Sequence, residues 1–318
     1  MRRKLSLVPL LLILLTALLG CSKHAYIIKS KVHKVKAKVS SGFNWPYYYY
    51  IPSTLEVEKT NRILVLPYYS NREENVMNFH LELGLEKTGY TVNAIAENIN
   101  LIIMRPVFPR SEKYWWYDTH SLDRDTLMVR KGKLKRIDIQ LIRMIEDFRG
   151  RLESRGYSTH PKVLMAGYWK SALFTNRFTL LHPRMVQAAL IGPTGGMPMV
   201  PKKIWHGNDL DYPLGTDDIR SITGQYFRWK EAKEIPMLFY QGNNDTRDVL
   251  DLKEGMDEEQ KAKVVEIFGS SPIKRYRKIG KIYKDYGCNC SFRIYQDVAD
   301  EITPPMRKDI IRFLKLHK

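Results

Sequence analysis

The stretch "VLMAGYWKSALFTNRFTLLHP", Val163–Pro183, decides how the rest of the chain is read. Its first residues form a short apolar run of the kind that becomes a buried strand. Gly167 marks a sharp turn, and "SALFTNRFTLLH" follows with helical spacing. A residue at the apex of a tight strand-to-helix turn stands clear of the sheet, so a serine placed there is open to attack a substrate. Here the apex residue is Trp169. The nearest hydroxyl, on Ser171, comes two residues later, inside the first helical turn.

Upstream, "RILVLP" (62–67) and "LIIMRP" (101–106) are further apolar runs that read as buried strands, and "GFNWPYYYYIPS" (42–53) suits an edge strand. Between them, "EENVMNFHLELGLEKTGYTVNAIAENIN" is predicted mostly helical, with Gly84 and Gly89 against one continuous helix. Leu134, Ile137, Leu141, Ile145, Phe148 and Leu152 recur at spacings of three and four, which predicts an amphipathic helix that Gly156 stops. Downstream, "VQAALIGP", "IPMLFYQG" and "SFRIYQ" read as strands and "PPMRKDIIRFLKLH" as a terminal amphipathic helix. Strands alternating with helices predict an α/β fold, a mostly parallel central sheet with helices on both faces. A chain of 318 residues, 44% hydrophobic, can bury a full core, and the domain is assigned to residues 42–318.

Five motifs in order, "GFNWPYYYYIP", "RPVFPR", "THSLDRDTL", "NRFTLLHP" and "DEITPPMRKDIIRFL", make the chain from Gly42 onward similar to the α/β-hydrolases of the esterase and lipase superfamily. That resemblance implies a nucleophile on the turn after "KVLMA", an acid after "IPMLFYQG" and a histidine just before the last helix. Those positions fall on Trp169, Asp245 and Asp300. An indole has no nucleophilic oxygen, and a carboxylate does not replace imidazole as the base, so the implied triad is degenerate. Where relatives carry a glycine-containing oxyanion turn, this chain has Tyr68, Tyr69, Ser70 and Asn71. Tyr68, Tyr69, Trp169, Lys170, Asp245 and Asp300 therefore frame the candidate ligand pocket, with Trp169 as an aromatic wall. Two adjacent carboxylates require a nearby cation, for which Lys170 and Arg247 are the candidates. Ser171 is the fallback nucleophile of an active enzyme.

At the other end of the chain, Arg2, Arg3 and Lys4 precede an apolar run from Leu5 to Leu19. The run is shorter than the roughly 20 residues of a membrane-spanning helix and suits a signal-peptide core. "LLGC", ending at Cys21, resembles the lipobox of bacterial lipoproteins, which implies cleavage after residue 20 and acylation of Cys21. Residues 21–41 then form a lysine-rich linker, whose valine alternation also allows an exposed edge strand. Losing residues 1–20 removes three cations from a formal charge of +18, and the remaining surplus favours an anionic envelope surface. No zinc-finger spacing or RNP-like motif points to nucleic acid. Cys288 and Cys290, two apart, read as incidental. Asp123 and Asp125 read as helix caps and not as a metal pair, and no cofactor is expected.

The sequence thus predicts an extracytoplasmic protein, lipid-anchored to a bacterial membrane, whose hydrolase fold binds or scaffolds without catalysis. An active ester hydrolase using Ser171 and a purely structural lipoprotein are the alternatives. Cys21→Ser is expected to abolish acylation and processing, shown by mass spectrometry of the mature N-terminus. An unmodified Cys21 on a processed chain would refute the anchor.

Overall fold

The computed structural model describes residues 32–87, 96–252 and 255–318. Residues 1–31, on which the expected signal segment, Cys21 and most of the expected linker fall, and Gly89 lie outside the described residues. Eight strands form one sheet: β1 (His33–Val35), β2 (Tyr47–Tyr50), β3 (Ile63–Val65), β4 (Ile102–Pro106), β5 (Val163–Gly167), β6 (Val186–Ile191), β7 (Met237–Gly242) and β8 (Cys290–Tyr295). Their spatial order is β1-β2-β4-β3-β5-β6-β7-β8. β2 runs antiparallel to both its neighbours, and every pairing from β4 through β8 is parallel. This is the α/β-hydrolase architecture.

Two differences from the sequence reading concern the first strands. The tyrosine run was expected at an edge, yet β2 lies inside the sheet and all four tyrosines are buried. Tyr47 is held by aromatic contact with Phe148 and by a hydrogen bond from its hydroxyl to Asp147 at 2.8 Å. The edge is β1, so the last part of the lysine-valine segment takes the strand alternative, pairing His33 with Tyr49.

Alternate residues of the inner strands divide between two cores, as the two-residue strand period requires. Ile63, Val65, Met104, Met165, Ile191 and Phe239 face one side. The long helix α3 (Ile137–Glu153) lies there with Leu141, Ile145, Phe148 and Leu152 buried, as does α4 (Lys170–Leu181). The helix is shorter than predicted, because Leu134 precedes its first turn. Leu64, Ile103, Leu164, Leu190 and Tyr240 face the other side, covered by the terminal helix α9 (Pro304–His317) through Met306, Ile310 and Leu314. Among the described residues no helix is long and apolar enough to cross a membrane.

A buried ionic network pins the loop after β4 beneath the start of α4. Asp118 meets Arg110 at 2.6 Å and Lys170 at 3.4 Å, and all three side chains are buried. Burial alone would raise the Asp118 pKa; the charges of Lys170 and Arg110 outweigh it and hold the carboxyl well below the usual range. Asp123 caps the short helix α2 (Arg124–Met128), accepting from the Thr126 amide at 2.8 Å and the Asp118 amide at 2.9 Å. Burial, reinforced by the neighbouring Asp118 charge, pushes the Asp123 pKa up to about 7.

An acid whose folded pKa is raised is more protonated in the native state. Its contribution is present below the unfolded pKa of about 3.9 and is lost as pH rises through about 7. Asp123→Asn, which stays neutral, should therefore lose less stability than the parent between pH 4 and 7. The expected difference is on the order of 2–4 kcal/mol, read from denaturant unfolding across that window.

Candidate functional site

The junction of β5 and α4 is built around two constraints. At Gly167 an added Cβ would sit 2.0 Å from the Ser171 carbonyl oxygen, so only glycine lets the strand pass this close to the helix. Trp169, two residues on, adopts φ 57° and ψ −124°, a conformation that costs a non-glycine residue about 1–3 kcal/mol and persists only where its surroundings enforce it. The main enforcement comes from Ser171. Its hydroxyl accepts from the Tyr168 amide at 2.9 Å and donates to the Tyr168 carbonyl at 3.0 Å, closing the turn. Ser171 is buried, and its hydroxyl serves the backbone of the turn.

Around the apex the structure brings together four residues named from the sequence, Trp169, Asp245, Asp300 and Arg247, and adds Tyr168. Trp169 is buried, with its ring edge against the backbone of Gly195. The Arg247 guanidinium lies 5.0 Å from the Trp169 ring centroid and 5.1 Å from that of Tyr168. Asp245, just after β7, accepts from Arg247 Nε at 2.9 Å and Nη2 at 2.6 Å. Asp300 meets Arg247 Nη1 at 2.6 Å and accepts from the Tyr168 hydroxyl at 2.5 Å. Tyr168 in turn accepts from Arg247 Nη2 at 3.2 Å.

Two carboxylates thus share one guanidinium, which takes the space between the acid and Asp300. Burial alone would lower the Arg247 pKa; hydrogen bonds to Asp245 and Tyr168 outweigh it and push it up, so the group stays charged. Burial also raises the Tyr168 pKa, and its hydrogen bond to Asp300 adds to the effect.

Two pocket candidates belong elsewhere. Lys170 points into the Asp118 network and is buried there, so Arg247 alone of the two candidate cations joins the carboxylates. Tyr68 is buried with its ring edge-on to His120 at 5.0 Å and His80 at 6.0 Å. Tyr69 does line a cavity of about 530 Å³, which runs behind the turn between the sheet and α9. Leu64, Leu190, Ile310 and Leu314 form its apolar walls, Tyr168 its rim, and Arg105 and Arg307 its basic groups. Trp169, Asp245 and Asp300 are outside that lining.

In the turn after β3, the Ser70 amide donates to His120 Nδ1 at 3.1 Å and the Tyr68 amide to the Pro106 carbonyl at 3.3 Å. Both donors therefore point into the protein. Burial lowers the His120 pKa to about 3, which keeps the ring a neutral acceptor for that amide. His182, which follows the last turn of α4, contacts Asp138 at 2.8 Å across 44 residues. Among the described residues no group of three or more His, Cys, Asp or Glu side chains is placed to hold a metal.

Tyr168 and the cavity were not singled out from the sequence. Tyr168 lies between Gly167 and the apex, where the motif asks for no particular residue type, and the cavity walls come from strands and a helix far apart in the chain.

No family model matches this sequence, and no curated protein matches it either. Solved structures do share the fold. Poly(aspartic acid) hydrolase-1 from Sphingomonas sp. KT-1 superposes with a TM-score of 0.60 at 14% identity, over 88% of this chain and 97% of that one. LpqC, a poly(3-hydroxybutyrate) depolymerase from Bordetella parapertussis, gives 0.53 at 13% identity over 80% of each chain. An S-formylglutathione hydrolase from Agrobacterium tumefaciens gives 0.50 at 10% identity, over 90% of this chain and 93% of that one. The chain is thus an α/β-hydrolase-fold protein, and likenesses at these identities carry the fold alone.

Replacing Arg247 tests the cluster directly. Arg247→Met should leave the buried Asp245 without its main partner and destabilise the protein by about 3 kcal/mol, measured by chemical denaturation. Adding Asp245→Asn should recover part of that loss, because the two effects are coupled through one contact.

Proposed function

We propose that this protein is an envelope lipoprotein, tethered through an acylated Cys21 and drawn to an anionic surface by the lysines of its linker, whose hydrolase fold binds or scaffolds and does not cleave esters. The observation that carries the non-catalytic reading is the Arg247 clamp on Asp245 and Asp300 beneath Trp169. Triad chemistry needs an oxygen nucleophile at the apex and an imidazole in contact with the acid. The apex here holds an indole. The acid's partner is a guanidinium, which has no acceptor and does not release its proton near neutral pH. Ser171 is a poor substitute, since both roles of its hydroxyl are taken by the Tyr168 backbone. The cavity lined by Tyr69 and Tyr168 offers a ligand room at the same end of the sheet.

The purified protein is expected to show no labelling by a serine-reactive phosphonate and no turnover of short-chain activated esters above background. Trp169→Ser alone should stay unlabelled, because Arg247 leaves the new hydroxyl without a base. Robust turnover by the parent, abolished by Ser171→Ala, would overturn the reading in favour of a relocated nucleophile.

A further inference from the structure

The turn after β4 exposes side chains of the kind that the fold buries elsewhere. Tyr114, Trp115 and Trp116 are 41%, 42% and 37% exposed, on a segment to which the site around Trp169 gives no role. Their rings meet at steep angles, 90° between Tyr114 and Trp116 and 86° between Trp115 and Trp116. Next to them the end of α2 presents Met128, 39% exposed, followed by Arg130 and Lys131. Trp116, Tyr117, Met128, Arg130 and Lys131 line one open depression of about 470 Å³, so the aromatic turn and the basic segment form a single surface. Lys113 sits over the Tyr114 ring at 5.4 Å, and Lys133 and Lys135 continue the exposed cations. Against these five stand Asp125 and Glu112, the latter accepting a hydrogen bond from Asn75.

Indole and phenol rings are apolar bodies with a polar tip, suited to the boundary between lipid headgroups and acyl chains. Cations next to an anionic bilayer add electrostatic attraction to it. We propose that this face docks on an anionic phospholipid surface. Tyr114, Trp115, Trp116 and Met128 enter the headgroup layer, while Lys113, Arg130 and Lys131 meet lipid phosphates. Lipid is favoured over a polysaccharide because Trp116 stands edge-on to both Tyr114 and Trp115, which breaks up a flat platform for a sugar, and Met128 adds an apolar group with little hydrogen-bonding capacity.

β4 and β5 run in the same direction through β3, so the aromatic turn and the Trp169 turn lie at the same edge of the sheet. Docking therefore turns that edge toward lipid. The contact is separate from the Cys21 anchor and does not depend on it.

The test uses the whole chain reconstituted into phosphatidylglycerol vesicles with and without brominated acyl chains. Tryptophan emission of a Trp115→Phe/Trp116→Phe variant is subtracted from that of the parent, which isolates this pair from the other four tryptophans. Both positions are exposed, and matching thermal unfolding of parent and variant verifies that the fold is kept. The pair's emission is expected to fall by roughly half or more with brominated lipid. That quenching should be lost in an Arg130→Glu/Lys131→Glu variant and in brominated phosphatidylcholine. Emission unchanged by brominated lipid overturns the proposal, and so does equal quenching in phosphatidylcholine, which would remove the role of charge. A response of the pair to a soluble anionic oligosaccharide with none to lipid would overturn it in favour of a sugar ligand.

Discussion

At Gly167 the backbone of β5 comes so close to the first turn of α4 that no side chain fits between them. The tight junction that results has several consequences. It forces the apex residue into a left-handed conformation and aims the N-terminus of α4 at the edge of the sheet. It also drives Lys170 down into the ionic network beneath. The turn holds this shape although its apex is a large aromatic residue, because the closure comes from the Ser171 hydroxyl and the glycine and not from the apex side chain. The turn therefore keeps this geometry with an indole at its apex.

The polar groups near the turn fall into two separate sets. Below it, Asp118, Arg110, Lys170, His120 and Asp123 are fully buried and join the β4 loop to α4; their role is structural, as a low-dielectric interior makes each unpaired member expensive. Above it, Asp245, Arg247, Asp300 and Tyr168 form a partly exposed ring around the Trp169 indole. The first set resists change because removing Arg110, Asp118 or Lys170 strands the charge with which it is paired. The second reaches the surface through Asp300, while Asp245 and the indole that it surrounds are buried.

Of the similar structures named above, two are hydrolases by name and one a depolymerase, and at 10–14% identity their likeness to this chain is one of backbone course. A fold of this kind hosts many functions, so function has to be argued from side chains. The cavity between the sheet and α9, with apolar walls and two arginines, and the exposed aromatic turn after β4 both lie toward the edge where β4 and β5 end. These two features therefore lie toward the same end of the sheet.

Apolar runs of strand length, the three-and-four spacing through α3, and the glycine before Trp169 were enough to read the sheet, its main helices and the position of the apex, because these signals are local and follow from chain geometry. Asp245 and Asp300 were singled out by the family resemblance, which puts one after β7 and the other before the terminal helix. What the sequence left open depends on partners distant in the chain. Whether Lys170 or Arg247 joined the two carboxylates was decided by packing: Lys170 is claimed by Asp118, 52 positions away, while Arg247 folds back on Asp245 and reaches Asp300. The tyrosine run looked like an edge strand by composition and became an inner one because β1 pairs outside it. Ser171 read as a spare nucleophile, and only the closed turn showed that its hydroxyl is bonded on both sides to Tyr168. Residue type and spacing determine which groups are present; the free energy of burying and pairing them in three dimensions decides which of them meet.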